Sequence, residues 1–100
     1  MEKLSIIWTE TTKNQLEKIY LYIAEASSIV QADNVFEKLV QSTASLIEHP
    51  QKYPADKYKT NNDGSYRAYE LYHFRISYRI TSDVIYIVRV RSTHQNPEEY

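Results

Sequence analysis

The sequence predicts an α+β fold: an N-terminal strand, a two-helix hairpin and then a three-stranded antiparallel meander, with both helices on one face of the sheet. Its first half carries apolar residues at helical spacing, and its second half switches to a period of two. Between them lies a polar stretch that ends in the only glycine of the chain, Gly64.

The opening Leu4-Ser5-Ile6-Ile7-Trp8 is short, apolar and rich in β-branched residues, and it reads as the first strand. Thr12 with Gln15 forms one candidate capping box for the helix that follows, and Thr9 is an alternative start. Leu16, Ile19, Tyr20 and Ile23 then make an apolar stripe to about residue 26, where Ser27-Ser28 interrupts it. Ala32, Val35, Phe36, Leu39, Val40, Thr43, Leu46 and Ile47 make a second stripe. It should stop at His49, because a following proline disfavours helix. Residues 50–64, with Pro50, Pro54 and Asn61-Asn62-Asp63-Gly64, read as a polar connector, with a short strand near Tyr58. Tyr66 to Leu71 is a strand that turns at Tyr72-His73. Phe74, Ile76, Tyr78 and Ile80 alternate with Arg75, Ser77 and Arg79, Thr81-Ser82-Asp83 turns, and 84–91 is the last strand. It is apolar on both sides at first, as befits a central strand.

One hundred residues suit a single domain, 1–100, and 42% hydrophobic with 25% charged residues is ordinary for a packed core. With no cysteine, disulfides, thiolate chemistry and cysteine-based zinc sites are excluded. No apolar run approaches the ~20 residues of a membrane span, and Met1-Glu2-Lys3-Leu4-Ser5 lacks a leader pattern, so the expectation is a cytoplasmic protein.

The net charge of −1 hides an uneven distribution. Residues 1–64 hold seven lysines against nine acids, whereas all five arginines lie between positions 67 and 91. Arginine makes forked contacts to phosphate and carboxylate, so this local patch outweighs the total. If Phe74, Ile76, Tyr78 and Ile80 face the helices, Arg75 and Arg79 emerge on the opposite face. The same alternation is expected to place Arg67 and Tyr69 there, joined by Arg89 and Arg91. Such a face grips anions, with tyrosine rings as platforms, or is an ordinary sheet surface decorated with Arg and Tyr. Tyr20, Tyr22, Tyr78 and Tyr86 are expected in or at the edge of the core. His49, His73 and His94 lack the spacing and acidic neighbours of a metal site, and nothing calls for a metal or cofactor. His94, after the last strand, is placed to hang over the open face, although a structural role suits an isolated histidine as well.

Several segments together resemble the RelE/ParE family of toxins from type II toxin–antitoxin systems, which includes plasmid stabilisation proteins. They are the early strand ending in Trp8-Thr9, the hairpin closing at His49-Pro50, and Tyr66-Arg67-Ala68-Tyr69-Glu70-Leu71. The most specific are Phe74-Arg75-Ile76-Ser77-Tyr78-Arg79-Ile80 and the last strand running into His94-Gln95-Asn96-Pro97. The resemblance implies a growth-inhibiting toxin neutralised by a cognate antitoxin, as a dimer or a toxin–antitoxin hetero-oligomer. It implies one of two targets: mRNA cleaved on the ribosome, as in the RelE branch, or DNA gyrase poisoned without catalysis, as in the ParE branch.

In the nuclease reading, Arg75 stands at the family's phosphate-gripping arginine and Arg67 where a catalytic-face lysine is expected. Tyr69 replaces a second lysine, His94 falls at a basic position after the last strand, and Tyr100 at a C-terminal tyrosine. Arg75, His94, Tyr100 and Arg67 would then carry metal-free phosphodiester cleavage. Tyr69, Arg79, Arg89 and Arg91 would contact target or antitoxin. A non-toxic family member acting as a small binding module is the remaining alternative.

Overall fold

The computed structural model describes residues 4–100; residues 1–3, the start of the segment read for a leader pattern, lie outside it. Strand β1 (Ser5–Trp8) leads into α1 (Glu10–Ala26) and α2 (Ile29–Ala44), which runs on into a 3₁₀ turn at Ser45–Ile47. After the connector come β2 (Tyr66–Leu71), β3 (Phe74–Ile80) and β4 (Val84–Ser92). The sheet order is β1-β4-β3-β2, antiparallel except that β1 runs parallel to β4. The expected architecture is the observed one.

Thr9 is the N-cap of α1: its hydroxyl accepts from the Thr12 N–H at 3.2 Å. Thr12 and Gln15 therefore do not form a capping box, and the fold uses them differently. β1 stops opposite Ile87, while β4 runs on to Ser92, so the β1 side of β4 needs other partners. The buried Thr12 hydroxyl donates to the Ile87 carbonyl at 2.7 Å, and the Gln15 side-chain oxygen accepts from the Val90 N–H at 2.8 Å. Two polar side chains of a helix thus finish a ladder that the short strand leaves open. Ser28 caps α2 by accepting from the Gln31 N–H at 3.0 Å.

Leu16 of α1, Leu39 of α2 and Leu46 pack on Ile76, Tyr78, Ile85, Ile87 and Val90. Tyr22, expected near the core, is 73% exposed on α1. β2 and β3 join through Tyr72 and His73 alone, both with positive φ (51° and 68°). Such a tight turn matches the right-handed twist of a hairpin, but it ordinarily uses Asn and Gly, since a side chain at positive φ costs about 1 kcal/mol or more.

The register corrects two expected placements. Residues directly opposite across a ladder share a face, and Arg67 pairs with Tyr78 and Tyr69 with Ile76. Arg67 and Tyr69 therefore point to the helix side, because the two-residue turn sets β2 one position out of step with the simple extension of the β3 pattern. Tyr69 is buried, stacks on Tyr53 at 4.3 Å between ring centres, and its hydroxyl meets Ser42 of α2 at 2.8 Å. Burial pushes its phenol up to about 12. Arg67 donates to the main-chain oxygens of Tyr53 (2.6 Å) and Gln51 (3.2 Å), which fastens the connector to the sheet.

Candidate functional site

The face away from the helices carries Tyr66 and Glu70 of β2, Arg75, Ser77 and Arg79 of β3, and Tyr86, Arg89 and Arg91 of β4. The β4 set depends on an irregularity. Tyr78 pairs with Ile87 but Ser77 pairs with Arg89, so Val88 is an extra residue without a partner. Before it the odd residues Ile85 and Ile87 are buried; after it Val90 is buried and the odd residues Arg89 and Arg91 turn outward. Without that extra residue, the alternation set by Ile85 and Ile87 would carry both arginines into the core.

This face is not bare. The connector crosses it, paired to the edge of β2: Ala55 bridges Arg67, the Asp56 N–H donates to the Tyr66 carbonyl at 2.9 Å, and the Ala68 N–H to Pro54 at 3.2 Å. Side chains of the Asn61–Gly64 turn secure its return, with Asn62 accepting from the Gly64 N–H (2.9 Å) and donating to the Tyr66 carbonyl (2.9 Å). The effect is to bury Asp56, 2% exposed, beneath the arginines. Its Oδ1 takes an ion pair from Arg75 Nη2 at 2.9 Å and the Tyr58 N–H at 3.1 Å, and its Oδ2 accepts from the Tyr100 hydroxyl at 2.5 Å. Burial alone would raise this carboxyl. Hydrogen bonds from Tyr100, Arg75, Ser77 and the Tyr58 N–H outweigh that and hold it below the usual aspartate range.

Tyr100 comes back over the same face as a plug. Its N–H donates to the Tyr58 carbonyl at 3.0 Å, and its main-chain oxygen accepts from the Thr60 N–H and hydroxyl, both at 2.8 Å, and from Lys59 Nζ at 3.2 Å. Its ring lies 4.4 Å from the Arg89 guanidinium and edge-on to Tyr66. Burial and the Asp56 carboxylate both raise the phenol well above its ordinary value, so it stays protonated. Beside it is a cleft of about 250 Å³ lined by Arg75, Arg89, Arg91, Ser77, Glu70 and Glu98. Arg75 is offset by Asp56 and also by Glu70 at 3.5 Å, and Arg91 by Glu98 at 3.3 Å. Among the described residues Arg89 has no ion-pair partner; its acidity is increased by burial and by neighbouring Arg91. Arg79 stacks on Tyr66 at 5.3 Å, towards the other end of the strand.

The structure thus gathers Arg75, Tyr100, Arg89 and Arg91, but not the rest of the expected set. Arg67 and Tyr69 are on the helix side. His94 is not over the arginine face: its ring packs against His73, 5.0 Å between centres, on a groove with Lys18, Ile19 and Tyr22 of α1. The residue that organises the site, Asp56, was missed. An aspartate among lysines in a polar connector looks solvated, and only Pro54, typical of an edge segment, hints that this stretch lies along a sheet.

Among the described residues, no helix is long and apolar enough to cross a membrane. A family model described as "ParE toxin of type II toxin-antitoxin system, parDE" matches residues 6–97. Among solved structures, a chain of the chromosomal ParDE toxin–antitoxin system from P. aeruginosa is similar, with a TM-score of 0.73 over 90% of this chain and 96% of that one. At 17% identity, that likeness is one of fold. No curated protein matches the chain.

Proposed function

The chain belongs to the ParE toxin family of type II toxin–antitoxin systems, and on that premise we propose that it arrests growth by non-enzymatic contact with DNA gyrase in the cytoplasm. A cognate antitoxin protein holds it inactive in a toxin–antitoxin hetero-oligomer, a reading supported by its likeness to a chain of a ParDE system.

The observation that carries the choice of target is the condition of the groups a nuclease would need. Cleavage through a ribose 2′-hydroxyl requires a group free to take a proton, another to give one, and a cation free to offset phosphate charge. Arg89 supplies a cation without an ion-pair partner among the described residues, but Arg75 is already offset by buried Asp56, and the Tyr100 proton is committed to the same carboxylate. A phenol raised in this way is a poor base at neutral pH. His94 stands on the groove with His73, not in the arginine cleft. The arginines, their counter-ions and the plugging tyrosine make a preorganised polar surface suited to protein contact.

The test sets two purified targets side by side. The chain should inhibit supercoiling by gyrase while leaving ribosome-bound mRNA intact, and His94→Gln should inhibit as well as the parent chain. Ribosome-dependent mRNA cleavage that disappears in His94→Gln would overturn the reading in favour of a nuclease.

A further inference from the structure

Of the features outside the arginine face, the pair of imidazoles at the rim of the α1 groove is the most specific. His73 belongs to the β2–β3 turn and His94 to the segment after β4, so 20 residues separate them in the chain. Cross-strand pairing brings them together: Phe74 lies opposite Ser92, and the Thr93 N–H donates to the His73 carbonyl at 2.7 Å. The His94 N–H donates to the Ser92 hydroxyl at 3.1 Å, so the main chain on both sides is pinned. The rings end 5.0 Å apart between centres, inclined by 35°, and both residues are exposed. Neither makes an ion pair with a carboxylate among the described residues.

We propose that His73 and His94 form a two-imidazole site for a borderline transition-metal cation, Zn²⁺ or Cu²⁺. Neutral imidazole offers a ring-nitrogen lone pair that such ions prefer over water, and metal–nitrogen bonds of about 2.0–2.1 Å require two nitrogens within a few ångströms of each other. Ring centres 5.0 Å apart put the two imidazoles within that range of each other. No group of three or more His, Cys, Asp or Glu side chains able to hold a metal occurs among the described residues. The pair therefore fills only part of a coordination sphere, and water or a second protein molecule supplies the rest. The site rests on imidazole chemistry and hairpin geometry, independently of whether gyrase is the target.

Titrating the full chain with ZnCl₂ or CuCl₂ in a calorimeter tests this. Saturable binding is expected, and His73→Asn or His94→Gln should each weaken it by about 10²-fold, because one imidazole loses the advantage of a joined pair. Asparagine suits the positive φ at position 73, and both rings are exposed, so the variants keep the fold. His49→Gln, far from the pair in sequence and in the chain's other half, should bind as the parent does. On the unaltered chain, substoichiometric Cu²⁺ should broaden the NMR signals of His73 and His94 before that of His49. One metal per two chains with the same dependence on both histidines supports the site, with a second copy completing it. Absence of saturable binding, or full binding by either single variant, overturns the proposal.

Discussion

Asp56 shows how one side chain can decide what a face of the protein does. Its carboxylate satisfies Arg75 and Tyr100 together, and in doing so ties the connector, β3 and the end of the chain into one unit. The ion pair is buried on the aspartate side, so removing one partner strands the other, a loss of about 3 kcal/mol. Asp56→Asn should therefore lower the unfolding free energy by about that amount at neutral pH, and Tm by roughly 10–20 °C. The pH dependence has a definite sign. The folded-state carboxyl lies below its ordinary 3.8, so the pairing stabilises fully above that value and is lost as pH falls through the lower one. The gap between parent and Asp56→Asn in denaturant unfolding should narrow progressively as the pH is lowered below 3.8. A gap unchanged by acid would mean that the carboxylate's charge is not what matters.

At the scale of elements, the β2–β3 turn carries the most strain. Tyr72 and His73 both sit at positive φ, where side chains crowd the backbone, in a turn that glycine and asparagine adopt readily. Replacing the pair by Asn-Gly should stabilise the protein by about 1 kcal/mol, read as a Tm rise of several degrees. A lower Tm would show that Tyr72, 51% exposed, contributes contacts worth more than the strain. The other element-scale device is Val88. Read along the chain, Ile85, Ile87, Val88 and Val90 look like a strand apolar on both sides. In the fold they are one buried row interrupted by an extra residue, which turns Arg89 and Arg91 outward.

For the whole molecule, size sets the expectation. A domain of 100 residues buries a limited share of its surface, so its own stability is small, on the order of 5–10 kcal/mol. A partner that binds only the folded form adds to it by mass action. Unfolding the toxin in denaturant with its antitoxin present at 10³ times Kd should therefore require about 4 kcal/mol more than without it. An unfolding curve unmoved by saturating antitoxin would contradict the proposed hetero-oligomer.

The hydrophobic periods by themselves determined the element order, the α+β class and the meander, because a helix or strand must present its apolar residues at its own repeat to bury them. The strand-and-tail motifs also carried the family. Alternation within β3 correctly sent Arg75 and Arg79 away from the helices. What period cannot carry is the phase between neighbouring strands, and a one-residue offset exchanges the faces. The two-residue turn at Tyr72-His73 moved Arg67 and Tyr69 to the helix side, and only the fold revealed it. Tertiary structure alone also decided which distant side chains meet: Asp56 with Arg75 and Tyr100, and His94 with His73. Those meetings depend on how the connector and tail cross the sheet, where pairing is made by main-chain hydrogen bonds that leave no mark in residue spacing.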